Sequence, residues 1–143
     1  MRIIKLSPED IDFPDRNSVD VYFRQTLPNR NLAGQFLLTK GRIAENGIDQ
    51  GELLIFSYKT EVVYLARANS NRIPNMGPQR TIYPFYFLVD LPTVTQGKGT
   101  LYEVEEALEE ALHGVTNIVK TQGWPRFADS QALEEVWNQF IRE

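Results

Sequence analysis

The spacing of apolar residues changes character along this chain, from a loosely alternating first quarter through a dense apolar hairpin to a helical stripe in the last third. The clearest strand signal is GELLIFSYKTEVVYLARANS, residues 51–70. A glycine turn, the apolar run Leu53–Tyr58, a short turn at Lys59-Thr60 and the run Val62–Ala68 predict a tight hairpin of two strands. Its polar Arg-Ala-Asn-Ser ending carries side chains to the rim of a sheet, where small barrels commonly bind ligands.

Upstream, residues 7–20 are turn-rich and acidic, so residues 1–18 read as an N-terminal arm leading into a first strand, Val19 to Gln25. Over residues 29–46, Leu32, Phe36, Leu37, Ile43 and Ala44 fit a helical stripe capped by Asn29 or Asn31 and stopped at Asn46-Gly47. Gly34 and Gly41 interrupt that stripe, and QFLLTKGRI also reads as a strand. An irregular loop from Asn69 to Arg80 precedes a strand, Ile82 to Leu91, whose Pro84 points to an edge position or a bulge.

Thr100 and Glu103 have the spacing of a capping box. Behind them Leu101, Val104, Leu108, Ala111, Leu112, Val115, Ile118 and Val119 follow a helical period, predicting a helix Leu101–Gln122 that stops at Gly123. A second short helix after Asp129 or Ser130 would bury Leu133, Val136, Trp137, Phe140 and Ile141. These elements predict one α+β domain over residues 1–143. Its mainly β core, residues 19–99, forms a small twisted or barrel-like sheet, and residues 100–143 flank it with two C-terminal helices.

With 143 residues and 42% hydrophobic content, the chain is long enough for one substantial core. The absence of cysteine excludes disulfides, thiolate chemistry and Cys-based zinc sites, and a single histidine excludes multi-histidine metal clusters. No cofactor is expected. No apolar run approaches the roughly 18 residues of a membrane span, and the opening MRIIKLSPED turns acidic before a signal-peptide core develops. A soluble, cytoplasmic protein is the expectation.

The net charge of -4 is unevenly placed. Residues 1–15 carry two basic and four acidic groups, residues 16–99 ten and six, and residues 100–143 three and nine. The basic middle has seven arginines, three lysines and seven asparagines, a composition suited to multidentate hydrogen bonding with phosphates or base edges. The acidic final third is instead suited to a protein partner.

Several residues invite a chemical reading. His113 shares a helical face with Glu105, Glu106 and Glu109, opposite the apolar stripe, and reads as a solvated surface histidine. The glutamates suit the N-terminal dipole of their helix. QGKGT, residues 96–100, departs from a phosphate loop, because Pro92 stands at the first glycine position and Gly99 follows Lys98. Asp90, Gln96 and Lys98 loosely echo metal-dependent nucleases, which makes magnesium-assisted cleavage by Asp90 and Lys98 an alternative activity. Tyr22, Arg24, Ser57, Tyr58, Arg67, Asn69, Ser70 and Trp124 form the candidate binding set: flat rings for stacking on a base, with guanidinium, hydroxyl and amide groups for its edge and phosphates.

A basic first strand, a helix, a Gly-Ile-x-x-Gly-Glu turn at residues 47–52, the strands LLIFSY and VVYLARA, and Gly-Trp-Pro at residues 123–125 follow in an order that resembles the PUA-like superfamily, including its EVE- and YTH-type members. The resemblance covers roughly residues 19–127. It implies a compact β-barrel flanked by helices that binds DNA or RNA, in some members through a modified base held in an aromatic pocket, with Trp124 as a pocket aromatic. The tryptophan-rich cage of some base readers is absent, since Trp137 belongs to the inner face of the last helix. The expected activity is non-catalytic nucleic-acid binding, extending to a modified or flipped base, by a module of a restriction or modification system that works beside a nuclease. A protein-interaction module using the acidic flank is a further alternative.

Overall fold

The structure is a computed structural model that describes residues 1–39, 42–43 and 47–143. It is an α+β fold around a curled, mixed half-barrel sheet. The strands are β1 (Arg2–Leu6), β2 (Gln35–Leu38), β3 (Leu53–Tyr58), β4 (Glu61–Ala68), β5 (Ile73–Pro74) and β6 (Phe85–Gln96), and the helices are α1 (Arg16–Val21), α2 (Leu101–Leu112) and α3 (Gln131–Gln139). Hydrogen bonding orders the sheet β1-β3-β4-β6-β2, with β5 also on β6. β1 runs parallel to β3, and the other pairs are antiparallel.

The central hairpin forms as its sequence indicates. Lys59 and Thr60 both take positive φ, 49° and 65°, which matches the twist of a two-residue hairpin turn. Every residue of β3 is buried because both of its faces are covered. Leu54, Phe56 and Tyr58 enter one core with Tyr22, Phe23, Phe36 and Phe87. Leu53 and Ile55 enter a second core with Leu101, Val104, Leu108, Leu133 and Trp137. Bulges at Phe56/Ser57 and between Leu65 and Arg67 increase the curl.

Five sequence expectations are corrected. Residues 1–18 do not form an arm throughout, since Arg2–Leu6 is a strand whose Ile3 and Ile4 are fully buried. Its outer edge is covered where the Ile3 amide donates to the Pro125 carbonyl and the Phe127 amide to that of Met1. Val19–Gln25 is helical rather than extended: α1 passes directly into a π turn, Tyr22–Thr26. The Asp15 carboxylate caps it by accepting from the Ser18 amide at 2.8 Å, and Val19, Tyr22, Phe23 and Leu27 recur at the spacing of one helical face. Local capping thus outweighs the β-branched residues in VDVYFRQ.

The helix expected over residues 29–46 is also absent from its described part, where Gln35–Leu38 pairs with Leu88–Phe85 of β6. Lys40, Gly41, Ala44, Glu45 and Asn46 lie outside the described residues. The expected helix Leu101–Gln122 stops at Leu112, because His113 turns left-handed at φ 55° and Gly114 follows. The apolar spacing nevertheless continues to Ile118, which is fully buried after the chain has folded back. Finally, β6 begins after Pro84 and runs on to Gln96, beyond the expected Leu91. Among the described residues, no helix is long and apolar enough to cross a membrane.

Candidate functional site

Two concavities meet at β2, and Leu37 lines both. The first is a cavity of about 30 Å³ walled by Phe13, Tyr22, Phe36, Tyr83 and Trp124, with Asp10, Asp12 and Arg42 also in its lining. That volume accommodates water rather than a base. Burial pushes the Tyr22 hydroxyl well above its ordinary pKa, opposed by the Arg30 guanidinium. Burial and then the Asp10 charge raise the Asp12 carboxyl, again against Arg30, whose Nη2 lies 3.9 Å from it. Arg42 lies over the Trp124 indole at 5.4 Å from the ring centroid, and the buried indole Nε1 has no hydrogen-bond partner among the described residues.

Trp124 is held by the turn that opens the central hairpin. Glu52 is buried, and its Oε1 accepts from Arg126 Nε at 3.0 Å and from Arg126 Nη2 at 2.5 Å. From β1, Arg2 Nη1 donates to the Trp124 carbonyl at 2.5 Å. Burial lowers the Arg2 pKa, partly offset by Glu52. The Gly51-Glu52 turn therefore anchors the segment that carries the tryptophan.

The second concavity is an open groove of about 720 Å³. Its floor is the outer face of β2, β6 and β5, where Leu37 and Ile73 stand opposite Tyr86 from the two flanking strands. Its walls come from residues 29–32 and 74–79. The lining includes five carboxamides (Asn29, Asn31, Gln35, Asn75 and Gln79) together with Arg30, and among the described residues contains no carboxylate. Arg80 lies beside it, donating to the Gly77 carbonyl at 3.1 Å. Two of the amides are engaged internally: Asn29 Nδ2 donates to the Gln25 carbonyl at 2.7 Å, and Asn75 Nδ2 to that of Tyr83 at 2.7 Å.

Of the eight residues singled out from sequence, Tyr22 and Trp124 line the small cavity together, and Tyr58 shares the buried core of Tyr22 without lining it. Arg24 is exposed on the π turn. Ser57 and Tyr58 are buried in β3, with the Tyr58 hydroxyl donating to the Phe13 carbonyl at 2.8 Å. Arg67 faces α3, donating to Glu134 Oε1 at 2.6 Å and lying 5.6 Å from the Trp137 ring centroid. Asn69 is exposed, while Ser70 Oγ accepts from the Leu88 amide at 2.8 Å. The groove residues Arg30, Asn31, Gln35, Gln79 and Tyr86 were not individually legible. Their signal was the density of amide side chains in residues 29–35 and 75–79.

The remaining candidates are spread over the fold. Asp90 stands opposite Arg67, whereas Gly97 bonds to Val63, so Asp90 and Lys98 are separated by at least about 13 Å along β4 at roughly 3.3 Å per residue. Two helix glutamates serve as local acceptors, Glu105 from the Val119 amide at 3.0 Å and Glu109 from the Thr116 amide at 2.8 Å. Among the described residues, no group of three or more His, Asp or Glu is placed to hold a metal ion. No family model, curated protein or solved structure matches the chain.

Proposed function

We propose that this chain is a non-catalytic nucleic-acid-binding domain of PUA-like type. The observation that carries the reading is the groove over β2, β6 and β5, whose lining among the described residues combines carboxamides, a tyrosine and an arginine with no carboxylate. Carboxamides both donate to and accept from base edges, and Arg30, which faces Asp12 at 3.9 Å, adds a guanidinium to the lining. The exposed Arg24 and Arg80 are the side chains assigned to phosphate contact, and they belong to the same basic middle segment. The curled sheet with flanking helices is compatible with a PUA-like barrel.

Recognition of a flipped or modified base is assigned to the aromatic cavity of Tyr22 and Trp124. A base reaches the indole only after Arg42 leaves its face, since the closed cavity has room for water alone. In a restriction or modification system, such a domain would present nucleic acid to a partner nuclease.

Titration of DNA and RNA at several salt concentrations tests the reading. The log affinity should fall linearly with log salt, and Arg24→Ala or Arg80→Ala should each flatten that slope by about 0.7 on single strands or about 0.9 on duplex DNA. Absence of binding to every nucleic acid at low salt would falsify the proposal.

A further inference from the structure

The groove has a floor that the phosphate contacts do not explain. Leu37, Tyr86 and Ile73 form a row across three adjacent strands, on the opposite face from the buried Phe36 and Phe87. Tyr86 is half-buried between its two cross-strand partners and lines the groove. A tyrosine at the centre of an exposed sheet face, flanked by aliphatic side chains, is a stacking platform: any base has a π face to lay on it.

The groups around this ring are suited to reading edges. Asn31, Gln35 and Gln79 line the groove, and among the described residues their side chains make no hydrogen bond. Each offers a donor pair and an acceptor. A paired base in a duplex has its faces covered by its neighbours and its pairing edge occupied. It cannot lie on a ring at the floor of a walled groove.

We infer that the groove is a single-strand site, in which an unpaired nucleotide stacks its base on Tyr86 while Asn31, Gln35 and Gln79 hydrogen-bond the exposed edge. This inference rests on the nucleic-acid reading above and adds the strand form and the stacking residue.

The test compares short oligoadenylate, oligothymidylate and oligouridylate strands with a duplex of the same length, at one low salt concentration and along a salt series. Single strands should bind more tightly than the duplex. Tyr86→Leu keeps an apolar side chain in the row but removes the ring. It should weaken single-strand binding by about 5- to 150-fold, the affinity equivalent of one stacked base, with the salt slope unchanged. Tyr86→Phe keeps the stack and should bind within about twofold of the parent. Gln79→Ala, in an exposed wall loop that cannot disturb the strand row, should alter the preference among the three strands. Thermal melts of each variant separate lost binding from lost folding. Duplex binding equal to single-strand binding, or a folded Tyr86→Leu variant with parental affinity, overturns the inference while leaving nucleic-acid binding intact. Failure of every strand to bind removes both.

Discussion

The Arg67 guanidinium and the Glu134 carboxylate meet at 2.6 Å, tying the middle of the sheet to the last helix. Arg67 also lies over the Trp137 ring, so this member of the basic middle segment is engaged at the sheet–helix interface. Both ion-pair partners are about a third or more exposed, at 32% and 42%, which keeps the interaction modest. A double-mutant cycle with Arg67→Ala and Glu134→Gln should give a coupling energy of about 0.2–1 kcal/mol that shrinks in high salt. Arg67→Ala alone should leave the salt slope of nucleic-acid binding unaltered; a flattened slope would show that its charge reaches phosphate.

The N-terminus of α2 carries a complete capping box. Thr100 Oγ1 accepts from the Glu103 amide at 3.3 Å, and Glu103 Oε1 accepts from the Thr100 amide at 3.1 Å. Thr100→Ala should therefore lower stability by about 1 kcal/mol in urea denaturation. An unchanged midpoint would mean that packing of Leu101, Val104 and Leu108 alone holds this end.

Gly34 should tolerate no side chain. It has φ +83°, and a Cβ built there would lie 2.5 Å from the Val89 carbonyl oxygen of the neighbouring β6. The Val89 amide also donates to the Gly34 carbonyl at 2.8 Å, so neither backbone can retreat without breaking the pairing. Backbone strain and overlap together should make Gly34→Ala destabilising by at least about 2 kcal/mol. The change should appear as a lower denaturation midpoint with the slope retained.

Asp20 links α1 to the sheet and gives stability a pH dependence. Burial pushes its pKa up, but hydrogen bonds donated by the Tyr64 hydroxyl at 2.7 Å and Arg16 Nη1 at 2.9 Å outweigh this and hold it below the ordinary value. A depressed folded-state pKa means that the contribution is present above the unfolded value, about 3.9, and is lost as pH falls through the lower folded value. Asp20→Asn should remove that part of the acid-side slope in stability measured from neutral pH downwards. Tyr64→Phe should reduce it.

How much could be read in advance depended on whether a residue's partners were close in sequence. The hairpin Leu53–Ala68 and the cap at Thr100 involve groups a few residues apart, and both form as their sequences indicate. Gln35–Leu38 is different. Its residues fit a helical stripe and also read as a strand, and pairing with β6, some 50 residues away, selects the strand. The site residues follow the same division. Tyr22 and Trp124 were recognisable as aromatics with exposed-rim potential, whereas Tyr86 became a groove floor only when β2 and β5 were placed on either side of it.

By itself, then, the sequence determined the α+β composition, the tight central hairpin, the capped start of α2 and the placement of positive charge in the middle of the chain. Each depends on local propensity, capping or composition. Tertiary structure decided that the N-terminal residues complete the sheet, that VDVYFRQ is helical, and that the carboxamides of residues 29–35 and 75–79 line one groove with Tyr86. Those outcomes depend on which distant surfaces bury one another, and the burial of Ile3, Tyr22 and Phe36 against strands far along the chain outweighs the weaker preferences of their own segments.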